Sequence, residues 1–154
     1  MHIDPTARDS HRPAPEVSLD RIREAATFLV GRVERTPIFS STTAARIVRA
    51  ATRVDLADGR LYAKAEHLQR TGSYKVRGAT FRIARLSAAE HAAGVIGISA
   101  GNHAAAVAVA AGLLGVHAVV VMPVTAVRSK VAACRGYGAE VILEGEDTSE
   151  AWAA

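Results

Sequence analysis

Hydrophobic and polar positions follow one rhythm over the first third of the chain and a different one after it. From Ser18, "SLDRIREAATFLVGRV" places Leu19, Ile22, Ala26, Leu29 and Val30 at three- and four-residue intervals. That spacing predicts a helix, with Ser18 positioned to cap its first turn. Pro37 breaks the pattern, and "STTAARIVRAA" (41–51) predicts a second, shorter helix. Residues 1–17 have no period, are mostly polar and carry three prolines, so they are expected to form a disordered leader.

Beyond the Asp58-Gly59 turn the chain alternates. "RLYAKAE" (60–66), "GVIGIS" (94–99), "VHAVVVM" (116–122) and "AEVILEG" (139–145) read as strands. Between them "YKVRGATFRIARL" (74–86), "NHAAAVAVAAGLLG" (102–115) and "TAVRSKVAACRGYG" (125–138) read as helices, the last closed by glycine. Strict alternation predicts an α/β fold: a parallel sheet with crossover helices on both faces. Strands apolar on both sides, such as "HAVVVM", fit a sheet covered twice. "EDTSEAWAA" then opens a helix, with Asp147 and Glu150 at capping spacing. A helix of about two turns beside an open sheet edge predicts a fold that continues past Ala154.

Composition narrows the function classes. At 154 residues, with 49% hydrophobic and 22% charged, one globular domain is expected. The apolar run 104–116 is too short and too rich in Ala and Gly for a bilayer, and the N-terminus lacks a signal-peptide pattern, so no membrane is expected. A lone cysteine, Cys134, precludes an internal disulfide, fits a reducing cytoplasm and is expected to be buried within its helix. The net charge of +4 is spread along the chain without aromatic interleaving, so no nucleic-acid partner is expected. The six histidines form no i, i+4 pair and no Cys/His spacing, so no metal site is expected.

Two loops carry candidate chemistry, because ligands of open parallel sheets bind where strands end and helices begin. The first is "QRTGSYK", ending at Lys75. With 16 arginines and only 3 lysines in the chain, a lysine here is conspicuous. A helix N-terminus disfavours an ammonium, and a neutral amine can bond covalently to a carbonyl cofactor, which arginine cannot do. The alternative is a lysine with a packed stem and a solvated head. The second loop is "SAGNH" (99–103), where Gly101 would let backbone approach a carboxylate or phosphate and Ser99 and Asn102 add hydrogen-bonding groups. Its alternative is a tight turn with a serine or asparagine cap.

Taken together and in this order, "LYAKAEHLQRTGSYKVRGA", "SAGNHA", "VVVMPVTAVRSK" and "YGAEVILEG" resemble the fold-type II (tryptophan synthase β-like) pyridoxal-phosphate enzymes, and among them the threonine dehydratases (threonine ammonia-lyases). The likeness runs from about Gly31 to the last residue. It implies pyridoxal 5'-phosphate as cofactor, and conversion of threonine or serine to a 2-oxo acid and ammonia. It also implies a cytoplasmic homo-oligomer in amino-acid metabolism, such as isoleucine biosynthesis. Lys75 would hold the cofactor and remove the substrate's α-proton, Tyr74 would sit beside the cofactor ring, and Asn102 would hydrogen-bond its 3-oxygen. Ser99, Ala100, Gly101, Asn102 and His103 would bind the substrate carboxylate. Ala100 stands where the group's serine racemases carry a serine, which favours elimination. Residues 18–90 would begin the large domain and 91–154 would form part of the small one. The family's phosphate-gripping glycine loop lies further along, so this chain alone is expected to be inactive. Serine dehydratases and other β-elimination or β-replacement enzymes share these motifs, and a non-catalytic interaction protein would keep half the fold.

Overall fold

The computed structural model describes residues 17–153; the expected leader lies outside them except for Val17. Helix α1 (Leu19–Leu29) starts at Ser18, whose hydroxyl accepts from the Arg21 backbone N–H as expected. Its apolar stripe is only partly covered: Leu29 is buried, while Leu19, Ile22 and Val30 are exposed. Phe28 meets Phe81 at a tilt, with ring centroids 6.0 Å apart.

Strand β1 (Ile38–Ser41) follows Pro37, and Ser41 also caps α2 (Thr42–Thr52). β2 (Leu61–Lys64) pairs antiparallel with β1, Ile38 opposite Lys64 and Ser41 opposite Leu61. This corrects two expectations: a strand exists at 38–41, and the strand near 60–66 stays out of the parallel sheet. All eight residues of this ribbon are exposed. With neither face buried, no alternation marks the first strand or names a partner for the second.

A turn of 3-10 helix (Glu66–Leu68) leads to α3 (Lys75–Ile83). The helix expected over 74–86 ends early, and α4 (Ala88–Ala93) begins anew from a capping box in which Ser87 and Glu90 bond each other's backbone N–H. Then β3 (Val95–Ile98), α5 (Asn102–Leu114), β4 (Ala118–Met122), α6 (Arg128–Gly136) and β5 (Glu140–Leu143) form the expected parallel unit, in strand order β3-β4-β5. Helix α7 (Thr148–Ala153) packs against β3 and β4. The class is thus mixed α/β, a parallel sheet with helices.

The core sits between this sheet and α5. Ala118, Val120 and Met122 are buried at alternate positions of β4, while Val119 and Val121 are half-buried. Residues Ala104 through Ala111 are all buried, so α5 is a central helix without a solvent face along this stretch. Small residues make that possible: a Cβ on Gly97 would meet Val107 at 3.3 Å, and alanines let α3 lie close on the other side. There Val76 packs with Ala106 and Val109. The helix that begins at Lys75 therefore rests on the helix that begins at Asn102. Cys134 is buried in the same core, and burial pushes its thiol pKa up.

Candidate functional site

Lys75 is the first residue of α3, and nearby polar side chains tie its neighbourhood to the segment at Glu34 and Thr36, 30 or more positions upstream of their partners. Gln69 is buried and clasps the backbone of Glu34: Glu34 N–H donates to Gln69 Oε1 at 2.9 Å, and Gln69 Nε2 donates to the Glu34 carbonyl at 2.9 Å. Arg77, two residues into α3, makes a forked pair with Glu66, Nε to Oε2 at 3.0 Å and Nη2 to Oε1 at 2.8 Å. The Thr36 hydroxyl donates to Glu66 Oε1 at 2.6 Å, and Arg77 also donates to the Glu34 carbonyl at 3.1 Å. The Arg77 guanidinium, helped by Thr36, holds the Glu66 carboxyl below the usual carboxylate range; Glu66 in turn raises Arg77.

Between these anchors the chain turns tightly. Gly72 has φ +70°, a left-handed value, and its N–H donates to the Gln69 carbonyl at 2.7 Å. Thr71 and Ser73 are buried, and among the described residues Ser73 Oγ has no hydrogen-bond partner although it lies two residues before the lysine. Tyr74 and Lys75 are exposed, with Lys75 Nζ 5.3 Å from the centre of the Tyr74 ring. The start of α3 has no side-chain cap, whereas serines cap α1, α2 and α4.

The second loop leaves the carboxyl end of β3. Ser99 Oγ accepts from the Gly101 N–H at 3.2 Å, and Gly101 is the N-cap of α5 without any side-chain cap. Asn102 is already the first helical residue, so it does not cap; its Oδ1 accepts from Lys130 Nζ at 3.1 Å. The capping alternative for Asn102 therefore does not hold. Gly101 has φ −155°, and a Cβ built there meets nothing within 4 Å. The protein's own packing leaves room for a side chain at this point. The result is open space beside the first N–H groups of α5, which no side chain among the described residues caps, as close approach of an anionic ligand needs.

The structure thus brings Ser99, Gly101 and Asn102 into one loop, with Ala100 exposed between them. His103 is exposed and lines a cavity of about 290 Å³ with Gly78, Ala79, Arg82 and Ile83 of α3. Among the described residues no hydrogen bond joins Lys75 to this loop; packing of α3 on α5 relates them. Sequence reading missed Thr36, Gln69, Glu66 and Arg77 as supports, and Lys130 as the partner of Asn102. Glu66, Gln69, Arg77 and Lys130 stood inside the quoted motifs, yet spacing along the chain could not name their partners. Among the described residues no group of three or more His, Cys, Asp or Glu could hold a metal ion, and no helix is long and apolar enough to cross a membrane.

These residues fit pyridoxal phosphate where they can be tested. The chain offers an accessible lysine amine at an uncapped helix start, an orphaned buried hydroxyl two residues away, and an open glycine-asparagine loop.

The chain is 43% identical over 134 residues to the catabolic L-threonine dehydratase TdcB of Staphylococcus aureus strain N315, covering 87% of this chain and 36% of that protein. It is 42% identical over 138 residues to the L-threonine ammonia-lyase of Thermotoga maritima, covering 90% of this chain and 32% of that one. The structure of maize serine racemase superposes with a TM-score of 0.74 at 36% identity, over 89% of this chain and 39% of that chain. The chain thus spans about a third of the length of the curated relatives it matches. Residues 31–154 match the family described as pyridoxal-phosphate dependent enzyme, and the chain belongs to that family.

Proposed function

We propose that this chain carries the lysine and asparagine loops of an enzyme that converts threonine, or serine, to a 2-oxo acid and ammonia: the β-hydroxyl leaves as water, and one water is taken up again as hydrolysis of the resulting enamine releases ammonia. The observation that carries the reading is the open Gly101–Asn102 backbone on the helix against which the Lys75 helix packs. When bound, pyridoxal phosphate supplies the electron sink for charge developing at the substrate's α-carbon. Lys75 Nζ would hold the cofactor and, once the substrate amine has taken its place, accept the α-proton. Tyr74 would flank the ring, and Asn102 Nδ2 would donate to its 3-oxygen. The Ser99 hydroxyl and backbone N–H groups of residues 100–103, at the positive end of α5, would hold the substrate carboxylate, with His103 at the edge; the Ser99 N–H itself donates to the Val121 carbonyl. Ala100 presents only a methyl, so that position supplies no second acid or base, which supports elimination over racemisation.

The division at about residue 90 into parts of a large and a small domain is proposed with it. So are a cytoplasmic setting, a homo-oligomer, and a 2-oxobutanoate product that would feed isoleucine synthesis. Elimination is proposed of a protein of the relatives' length.

Borohydride trapping tests the site. The chain is mixed with pyridoxal phosphate, reduced, digested, and the modified lysine located by mass spectrometry, with Lys75→Ala as control. Selective label on Lys75 over Lys64 and Lys130 is expected. Indiscriminate label, or none, overturns the assignment.

A further inference from the structure

Helix α6 opens with Arg128 and Lys130 in its first turn and no acidic residue there. Cations at that end oppose the helix dipole, so a lysine at this position calls for a partner that compensates. Lys130, half-buried, has one: its Nζ donates to Asn102 Oδ1 at 3.1 Å, 28 residues away in sequence. The bond joins the first turns of α5 and α6, two crossover helices that both leave the carboxyl edge of the parallel sheet.

The chemistry of the pair fixes more than a distance. An ammonium donates hydrogen bonds and accepts none, so it can face only the oxygen end of an amide. An asparagine at an exposed loop otherwise has two orientations of similar energy, one presenting N–H and one presenting C=O. Lys130 selects the first. It also polarises the carbonyl, which strengthens the N–H groups at the other end as donors.

We propose that Lys130 is a positioning residue: by holding Asn102 Oδ1 it locks the amide with Nδ2 free to donate, so that the loop binds a ligand oxygen that accepts hydrogen bonds. The inference rests on the proposed function, in which that oxygen is the cofactor's 3-oxygen. Lys130 touches neither substrate nor cofactor in this role and acts only through Asn102.

The test has two arms. In the ligand-free chain, the side-chain amide signals of Asn102 are followed by ¹⁵N–¹H NMR. Lys130→Met is expected to shift them and speed exchange of the two amide protons, and Lys130→Arg, which also only donates, to restore them. Unmoved signals overturn the inference whatever the cofactor does. In the second arm, pyridoxal-phosphate affinity is measured from its absorption band, with borohydride trapping to confirm Lys75 as the labelled residue. Lys130→Met is expected to weaken binding about tenfold, as loss of a charge-assisted hydrogen bond does, while leaving the urea midpoint in place. In an Asn102→Ala background the same substitution is expected to change nothing further. Equal affinity in wild type and Lys130→Met, or a full Lys130→Met effect without Asn102, overturns this inference and leaves the Lys75 assignment standing. If wild type takes no cofactor at Lys75, the proposed function falls, and the role given to the Lys130–Asn102 pair falls with it.

Discussion

The lysine loop, residues 69–75, is held by charge and hydrogen bonds, whereas the asparagine loop, 99–103, is carried by a helix held by packing. Around the first, Gln69, Thr71 and Ser73 are buried polar residues, and the forked Arg77–Glu66 pair closes the region against Thr36 and Glu34. Around the second, the next eight residues of α5 are buried alanines and valines. Polar anchoring is directional and sets where a side chain points. Alanine packing is close and unforgiving of volume, and sets where a whole helix lies. Lysine chemistry needs the first kind of control; a backbone cradle needs only the second.

The contrast can be broken most severely in α5. Ala106 is fully buried against Val76 and Val109, so Ala106→Leu is expected to cost about 3 kcal/mol by overpacking. A urea melt reads this directly; a loss under about 1 kcal/mol would show that the α3–α5 contact yields easily. In the lysine region, Arg77→Met leaves the Glu66 carboxylate partly buried without its cation. The expected loss is about 2 kcal/mol, with the Lys75 borohydride label becoming less selective because the loop is no longer anchored.

The same pair predicts a pH dependence. Glu66 is held below its ordinary range by Arg77, so its contribution is complete above the unfolded carboxylate pKa. It is lost as pH falls through the folded value. The urea midpoint of wild type should therefore drop on acidification through the carboxylate range more steeply than that of Glu66→Gln.

Two glycines give the smallest and sharpest contrast. Gly72 is required by its φ of +70°, so Gly72→Ala is expected to cost about 1 kcal/mol. Gly101 faces open space where a Cβ would stand, so Gly101→Ala is expected to weaken pyridoxal-phosphate uptake, whereas Gly72→Ala is expected to act on folding. Equal effects of both on cofactor uptake would erase the distinction between a turn glycine and a ligand glycine.

Local pattern along the chain made much of this molecule legible. The β/α alternation from residue 94 onward marks the parallel unit, because its β4 strand and central helix are buried and their apolar runs report it. The Ser18 cap is visible from its place ahead of a periodic run, and the Lys75 and Asn102 motifs from residue type and spacing. Other features are written in the sequence but went unread, as with the Ser87–Glu90 capping box that starts a helix where none was expected.

What only the tertiary structure decided were the partners. The exposed ribbon of 38–41 and 61–64, the Arg77–Glu66–Thr36 anchor and the Lys130–Asn102 bond each join segments many residues apart. Periodicity records which face of an element is buried, and a motif records which groups are present. Neither records which distant group chain closure will bring within hydrogen-bond range, because that distance is set by how whole helices pack and not by any residue's neighbours along the chain.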